Sequence, residues 1–303
     1  MKLAAIGGAP LPLDRAKAQR MQAGRQAGMS DKGKQTASLR DGLALGTTIH
    51  PDDGQGGGTA SATGTSIFDP VLCELAYRWF CPPGGLVLDP FAGGSVRGIV
   101  AARLGREYLG IELRPEQLAA NRVQADRICA NGTTPAWLEG DARDLAALCP
   151  DVAADLIFSC PPYADLEVYS DDPRDLSTMP YPDFLAAYRG IVAACVERLR
   201  DDRFACFVVG DVRDPKGFYR GFVGDTVRAF EDAGARLYNE AILVTAVGSL
   251  PIRAGRAFDS GRKLGKTHQN VLVFCKGDPR KATEAIGLVE FGQGDDVPSG
   301  DEP

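Results

Sequence analysis

The sequence predicts an α/β protein, an open and mostly parallel sheet with helices on both faces. Three observations carry this. Short apolar runs of strand character alternate with segments of helical periodicity through the middle of the chain. Hydrophobic residues make up 44% and charged residues 24% of the 303 positions, ordinary globular composition with ample material for a core. Helix punctuation, such as Asp69-Pro70 and Gly234, falls between the runs. At about 150 residues per domain the length allows two domains, or equally one large domain with tails.

Each element has its own local reason. Asp69-Pro70 supplies an N-cap and a proline at the first helical position, starting a helix that runs to about Phe80. Leu86-Val87-Leu88 is a short buried strand, followed by a glycine turn and a helix with Val96, Ile99, Val100 and Leu104 on one face. Tyr108 to Leu113 forms the next strand, and Pro115 opens another helix. Trp137-Leu138 and Leu156-Ile157-Phe158 mark two further strands. Phe184, Tyr188, Ile191, Cys195 and Leu199 trace a helical stripe, and Phe204 to Val209 is the most hydrophobic strand. Val223, Val227 and Phe230 lie on a helix that Gly234 terminates. Ala241 to Thr245 and Val271 to Phe274 complete the alternation.

Residues 1–65 are rich in Gly, Ser, Thr, Gln and Ala and read as a flexible N-terminal arm; 66–278 read as the folded domain and 279–303 as an acidic tail. No run approaches the roughly 20 apolar residues of a membrane span, so no membrane role is expected. Eight cysteines without a CxxC pair argue against a zinc site or a disulfide framework, and a reducing cytoplasm is the expected setting. The net charge of −6 is uneven. Residues 284–303 hold Glu284, Glu290, Asp295, Asp296, Asp301 and Glu302 with no Lys or Arg, so the remainder sums to zero. Within it, 248–269 carries Arg253, Arg256, Arg262, Lys263 and Lys266 against Asp259 alone. Fields act locally over about a Debye length, so this basic insertion is a candidate phosphate-binding face, though such a run also suits a solvated loop.

The first strand runs directly into Asp89-Pro90-Phe91-Ala92-Gly93-Gly94-Ser95. Glycines at a strand-to-helix turn let a ligand approach the backbone, at the sheet edge where doubly wound folds bind ligands. The spacing is neither GxGxxG nor a phosphate loop, which disfavours a dinucleotide or a triphosphate. Glu112 ends the second strand, at the separation of about 20 residues typical of an acid that binds a ribose diol. Asp141, after the third strand, is either a contact to an adenine amino group or a helix cap. An adenosyl cofactor without a pyrophosphate suits these residues. The fourth strand ends in Ser159-Cys160-Pro161-Pro162-Tyr163, where two prolines fix a rigid corner, leave carbonyls available as acceptors, and precede an aromatic face on which a base can stack. Cys81-Pro82-Pro83-Gly84 precedes the first strand and reads only as a turn.

Together, Asp89-Pro90-Phe91-Ala92-Gly93-Gly94 and the Pro-Pro-Tyr corner resemble S-adenosylmethionine-dependent DNA methyltransferases that modify exocyclic amino groups. The stretch from Ser66 to Gly277 is similar to a phage and prophage branch of that family, through Ala164 to Ser170, Val209 to Asp214 and Gly248 to Arg253. The resemblance implies a Rossmann-like, seven-stranded sheet, mostly parallel with an antiparallel last strand. It implies that Phe68 and the turn residues Asp89, Phe91 and Gly93 hold the methionine part of S-adenosylmethionine, with Glu112 and Asp141 on the adenosine part. The flipped base would lie at Cys160, Pro161, Pro162 and Tyr163.

The exocyclic nitrogen of adenine or cytosine is a weak nucleophile because its lone pair is delocalised into the ring. Main-chain carbonyls near Cys160 and Pro161 would accept its protons and localise that pair, so that transfer depends mainly on positioning. The family usually has Asp, Asn or Ser where this chain has Cys160, and a thiol is a weak acceptor. That leaves carbon-5 methylation of cytosine through a Cys160 thiolate as an alternative, with Asp211 and Arg213 expected beside the corner. RNA methylation, or a non-catalytic DNA-binding module on the same fold, are the other readings. DNA is the expected partner, gripped by Arg253, Arg256, Arg262, Lys263 and Lys266. No metal is expected.

Overall fold

The structure, a computed structural model, describes residues 68–129, 132–164, 168–244 and 250–289. The expected arm, residues 1–65, and the acidic end of the chain from 290 lie outside the described residues, as do Gly248 and Ser249. Helix α1 (Pro70–Phe80) starts as its sequence requires, with Asp69 Oδ1 accepting from the Val71 N–H at 2.8 Å and from that of Leu72 at 3.4 Å. There follow β1 (Leu86–Asp89), α2 (Val96–Arg103), β2 (Glu107–Glu112), α3 (Pro115–Ile128), β3 (Ala136–Glu139), a short 3₁₀ turn Ala142–Asp144, α4 (Leu145–Leu148) and β4 (Ala154–Ser159). The second half contains a 3₁₀ turn Leu176–Thr178, α5 (Tyr181–Arg198), β5 (Leu199–Val209), α6 (Phe222–Asp232), β6 (Arg236–Val244), α7 (Leu250–Gly261), β7 (His268–Lys276) and α8 (Pro279–Ile286).

The seven strands lie in the order β3-β2-β1-β4-β5-β7-β6. All neighbours are parallel except β7, which runs antiparallel to both β5 and β6. Alternate residues of each central strand therefore enter two separate cores. Leu88, Ile157, Ala205, Phe207 and Phe274 pack under α5 and α6. Val87, Leu156, Phe158, Phe204, Cys206 and Val273 pack under α1, α2 and α8. Burial on both faces is why β1, β4 and β5 read as continuous apolar runs rather than as alternation.

Three differences from the sequence reading have physical reasons. Strand β6 begins at Arg236, well before Ala241; it is the sheet edge, and its first half is exposed and without an apolar alternation to mark it. The basic insertion contains a helix, α7, which ends at Arg262 in a left-handed cap (φ +53°), its N–H bonded to the Phe258 carbonyl at 2.7 Å. The first part of the expected tail is α8, capped by Asp278 with Pro279 in its first turn, and it buries Ala282 and Ile286.

Candidate active site

Strand β1 delivers Asp89 to the C-terminal edge of the sheet, where it is fully buried. Its carboxylate accepts four bonds: from Arg97 Nε at 2.6 Å, Tyr108 Oη at 2.7 Å, Ser159 Oγ at 2.6 Å and the Phe91 N–H at 3.1 Å. All four acceptor positions of the carboxylate are thus taken. In this structure Asp89, read from the sequence as a cofactor ligand, stands behind the glycine turn and fixes its shape. Arg97 completes the node, donating to the carbonyls of Phe91 and Ala92 and lying 4.8 Å above the Phe68 ring. Burial opposes the arginine's charge, but the Asp89 carboxylate more than offsets this and holds its proton above the usual range. Phe68 also meets Phe158 edge-on at 5.6 Å, and Phe91 stacks on Tyr188 at 6.4 Å.

In front of that node, Gly93 takes φ +51°, a left-handed conformation that disfavours any side chain, and beside Gly94 there is open space. The Gly93 N–H donates to Glu112 Oε2 at 2.9 Å, and its carbonyl accepts from Asn121 Nδ2 at 2.8 Å. Glu112 Oε1 accepts from the Arg114 N–H at 3.0 Å and, loosely, from Arg114 Nε at 3.3 Å. So the acid ending β2 and the glycine turn after β1 meet, with acceptor capacity left on the carboxylate. Asp141 caps the 3₁₀ turn through the Arg143 N–H at 2.9 Å, and its other oxygen pairs with the Arg143 guanidinium at 2.5 Å. In this structure Asp141 caps.

The proline corner is fastened to the same node. Ser159, the last residue of β4, is the donor to Asp89 just described, so the corner and the glycine turn sit on adjacent parallel strands at one edge. Pro161 is buried, while Cys160, Pro162 and Tyr163 are half-buried. Cys160 Sγ lies 3.5 Å from Tyr163 Oη. The phenol also donates to the Val208 carbonyl at 3.4 Å and accepts from the Gln269 amide. Burial, reinforced by Cys160, pushes the Tyr163 pKa well above its ordinary value, so the phenol stays neutral.

Asp211 is placed differently from its expected role. Its Oδ1 accepts from the N–H groups of Val212, Gly221 and Phe222 at 3.0–3.1 Å, which makes it the cap at the start of α6. The sequence reading gave Asp211 a catalytic role; here one of its carboxylate oxygens is engaged as this cap. Arg213 turns toward Tyr219 and the Gly217 carbonyl. Of the basic residues, Arg256, Arg262 and Lys263 are exposed and Lys266 is half-buried; the Arg253 side chain lies outside the described residues. Among the described residues no group of His, Cys, Asp and Glu could hold a metal. Sequence reasoning missed Arg97, Asn121, Ser159 as a bridge, and Gln269. Arg97 carries the one visible signal, a charge inside the apolar stripe of α2.

The sheet order and the antiparallel β7 give the Rossmann-like methyltransferase fold. Residues 71–122, from α1 through the glycine turn and Glu112 into α3, match the family described as DNA methylase. Within the chain, 61 residues are 44% identical to the type II methyltransferase M.XycI of Xanthomonas campestris pv. cyanopsidis, covering 20% of each protein. Another match, over 46 residues at 48% identity, is to the type II methyltransferase M.Cfr9I of Citrobacter freundii, covering 14% of this chain and 15% of that one. The matches thus span about a fifth or less of the length of these curated relatives. Among solved structures, TrmN from Thermus thermophilus aligns over 68% of this chain and 48% of its own, with a TM-score of 0.46 and 18% identity.

Proposed function

We propose that this protein transfers a methyl group from S-adenosylmethionine to the exocyclic amino group of cytosine (N4) or adenine (N6) in DNA. The observation that carries the reading is the 2.6 Å bond from Ser159 to Asp89, which holds the Pro-Pro-Tyr corner beside the glycine turn. Donor site and acceptor site then share one rim. The DNA methylase match over 71–122 supports the donor half.

The residues fit the cofactor by their chemistry. The space beside Gly94 and the acceptor capacity of Glu112 suit a ribose diol, and Phe68 and Phe91 line the apolar side. Asp141 would take the adenine amino group once Arg143, which is 38% exposed, swings away. When bound, S-adenosylmethionine supplies an electrophilic methyl on a sulfonium. The protein's share is positioning. A base inside a duplex cannot reach this rim, so it must be extruded. Tyr163 offers a ring for it to lie against, and the carbonyls at Cys160 and Pro161 accept the amino protons as charge develops on nitrogen. The exposed cations Arg256, Arg262 and Lys263 would meet phosphates.

Nucleoside mass analysis of plasmid DNA from cells expressing the protein tests the proposal. N4-methylcytosine or N6-methyladenine is the expected product. Ring-methylated cytosine, methylation of RNA alone, or no mark would each refute it.

A further inference from the structure

Between β5 and α6 the chain makes a small hairpin that neither the donor site nor the base corner uses. Arg213 and Tyr219 pair as an antiparallel bridge. The Asp214 N–H bonds the Phe218 carbonyl at 2.8 Å, the Phe218 N–H bonds Asp214 Oδ1 at 2.8 Å, and Gly217 closes the turn onto Asp214. The Arg213 guanidinium lies 3.8 Å over the Tyr219 ring and donates to the Gly217 carbonyl at 2.7 Å. So many local bonds make the loop rigid, yet Phe218 stands 71% exposed and Tyr219 47%. A rigid hairpin presenting an aromatic ring to solvent gains nothing in folding from that ring.

Its position and charge indicate what the ring meets. A Cβ on Gly210, just past β5, would lie 3.9 Å from the Tyr163 ring. Arg213 follows three residues later, so the base of the hairpin is within about 11 Å of Gly210. On the other side it touches the basic insertion, because a Cβ on Gly217 would lie 2.7 Å from Lys263 Cε. Lys216 is exposed at the tip, while Asp211 and Asp214 turn carboxylate oxygens inward onto backbone N–H groups. The outer face is therefore cationic with an apolar point.

We infer that the hairpin 213–219 is a wedge for duplex DNA: Phe218 enters the stack at the gap left by the extruded base, with Lys216 and Lys263 on the flanking phosphates. An extruded base leaves an unstacked step, and an apolar side chain inserted there offsets the loss. Because the loop is already ordered, little entropy is spent in placing it. This inference rests on the proposed DNA methylation.

The test compares labelled methyl transfer to plasmid duplex and to the same plasmid after heat denaturation, for wild type, Phe218→Ala and Phe218→Trp. In single strands there is little stacking to replace. Phe218→Ala is expected to lose about tenfold or more on duplex but within about twofold on denatured DNA, a difference equivalent to part of the few kcal/mol of unstacking. Phe218→Trp restores most of the duplex activity. At this exposed position neither change should alter the melting temperature or donor affinity. An active wild type with Phe218→Ala unchanged on duplex, or equally impaired on both substrates, overturns the wedge alone. A wild type that methylates neither form of DNA overturns the functional reading beneath it.

Discussion

Asp89→Asn separates a scaffold role from a ligand role. In the native protein the carboxylate accepts from Arg97, Tyr108, Ser159 and the Phe91 N–H. Asparagine keeps one acceptor oxygen and turns an NH₂ group toward some of those donors. Arg97, only 5% exposed, then loses its counter-charge. Breaking a buried ion pair by removing one partner costs about 3–5 kcal/mol. In a domain of this size each kcal/mol moves the melting temperature by about 2–4 °C, so melting should fall by about 6–20 °C. Ser159→Ala removes a single bond to a charged group and should cost less, about 1.5–3 kcal/mol. The assay is thermal and urea unfolding followed by circular dichroism, together with calorimetric titration of S-adenosylmethionine well below the melting temperature. A ligand role predicts the opposite pattern, unchanged melting and weakened donor binding. An Asp89→Asn protein within about 1 kcal/mol of wild-type stability, with donor affinity reduced tenfold, would refute the scaffold argument.

Glu112→Gln should leave the fold intact, since its amide oxygen can still accept from Gly93, but weaken donor binding by about tenfold or more in the same titration, because a bond to a charged acceptor is lost. Cys160→Ser should retain methyl transfer and form no covalent adduct with DNA carrying a trapping cytosine analogue; loss of transfer together with an adduct on the wild type would support the nucleophile route instead. Burial raises the thiols of Cys73 and Cys195, lifts Cys81 and Cys206 to about 12, and raises the phenols of Tyr77, Tyr108, Tyr163 and Tyr188. The stabilisation is complete below the ordinary pKa, 9.0 for the thiols and 10.0 for the phenols, and is lost above it as the unfolded chain ionises first. Each group then contributes a slope of about 1.4 kcal/mol per pH unit. Urea midpoints should therefore fall steeply from pH 9 to 11, and a flat profile would contradict the burial argument.

Where local chemistry decides an element, the sequence shows it. Asp69-Pro70 sets the start of α1, and the apolar runs at Leu86 and Phe204 mark strands buried on both faces. The first half of β6 is hidden because this exposed edge shows no apolar alternation: Arg236, Asn239 and Glu240 are polar, and Leu237 and Tyr238 stand side by side at a shift in register with β7. Helix α8 carried the same Asp-Pro signal as α1, at Asp278-Pro279, but the acidic composition that follows obscured it. At the site, residue type placed acids at the right strand ends without separating ligand from cap. Asp89, Asp141 and Asp211 differ only in which N–H and O–H groups surround them, and those come from elsewhere in the chain. Gln269 is 106 residues from Tyr163 in sequence, and only the antiparallel placement of β7 beside β5 brings them together.

The departure at Cys160 is easier to understand once the bracing of the corner is clear. Pro161 and Pro162 have no N–H to contribute to the sheet, so something other than the strand ladder must hold this turn. It is held at both ends. Ser159 ties it back to β1 through Asp89, and Tyr163 ties it sideways to β5 through the Val208 carbonyl and to β7 through Gln269. Cys160 sits between these anchors, 3.5 Å from the Tyr163 hydroxyl. If the acceptors for an amino group are main-chain carbonyls, their directions are set by the two anchors and the proline rings, and the side chain at 160 is free to vary in chemistry. A thiol there lowers acceptor strength at one point without moving the others. Breaking either anchor would move all of them at once, which is why Ser159 and Tyr163 should matter more to transfer than Cys160.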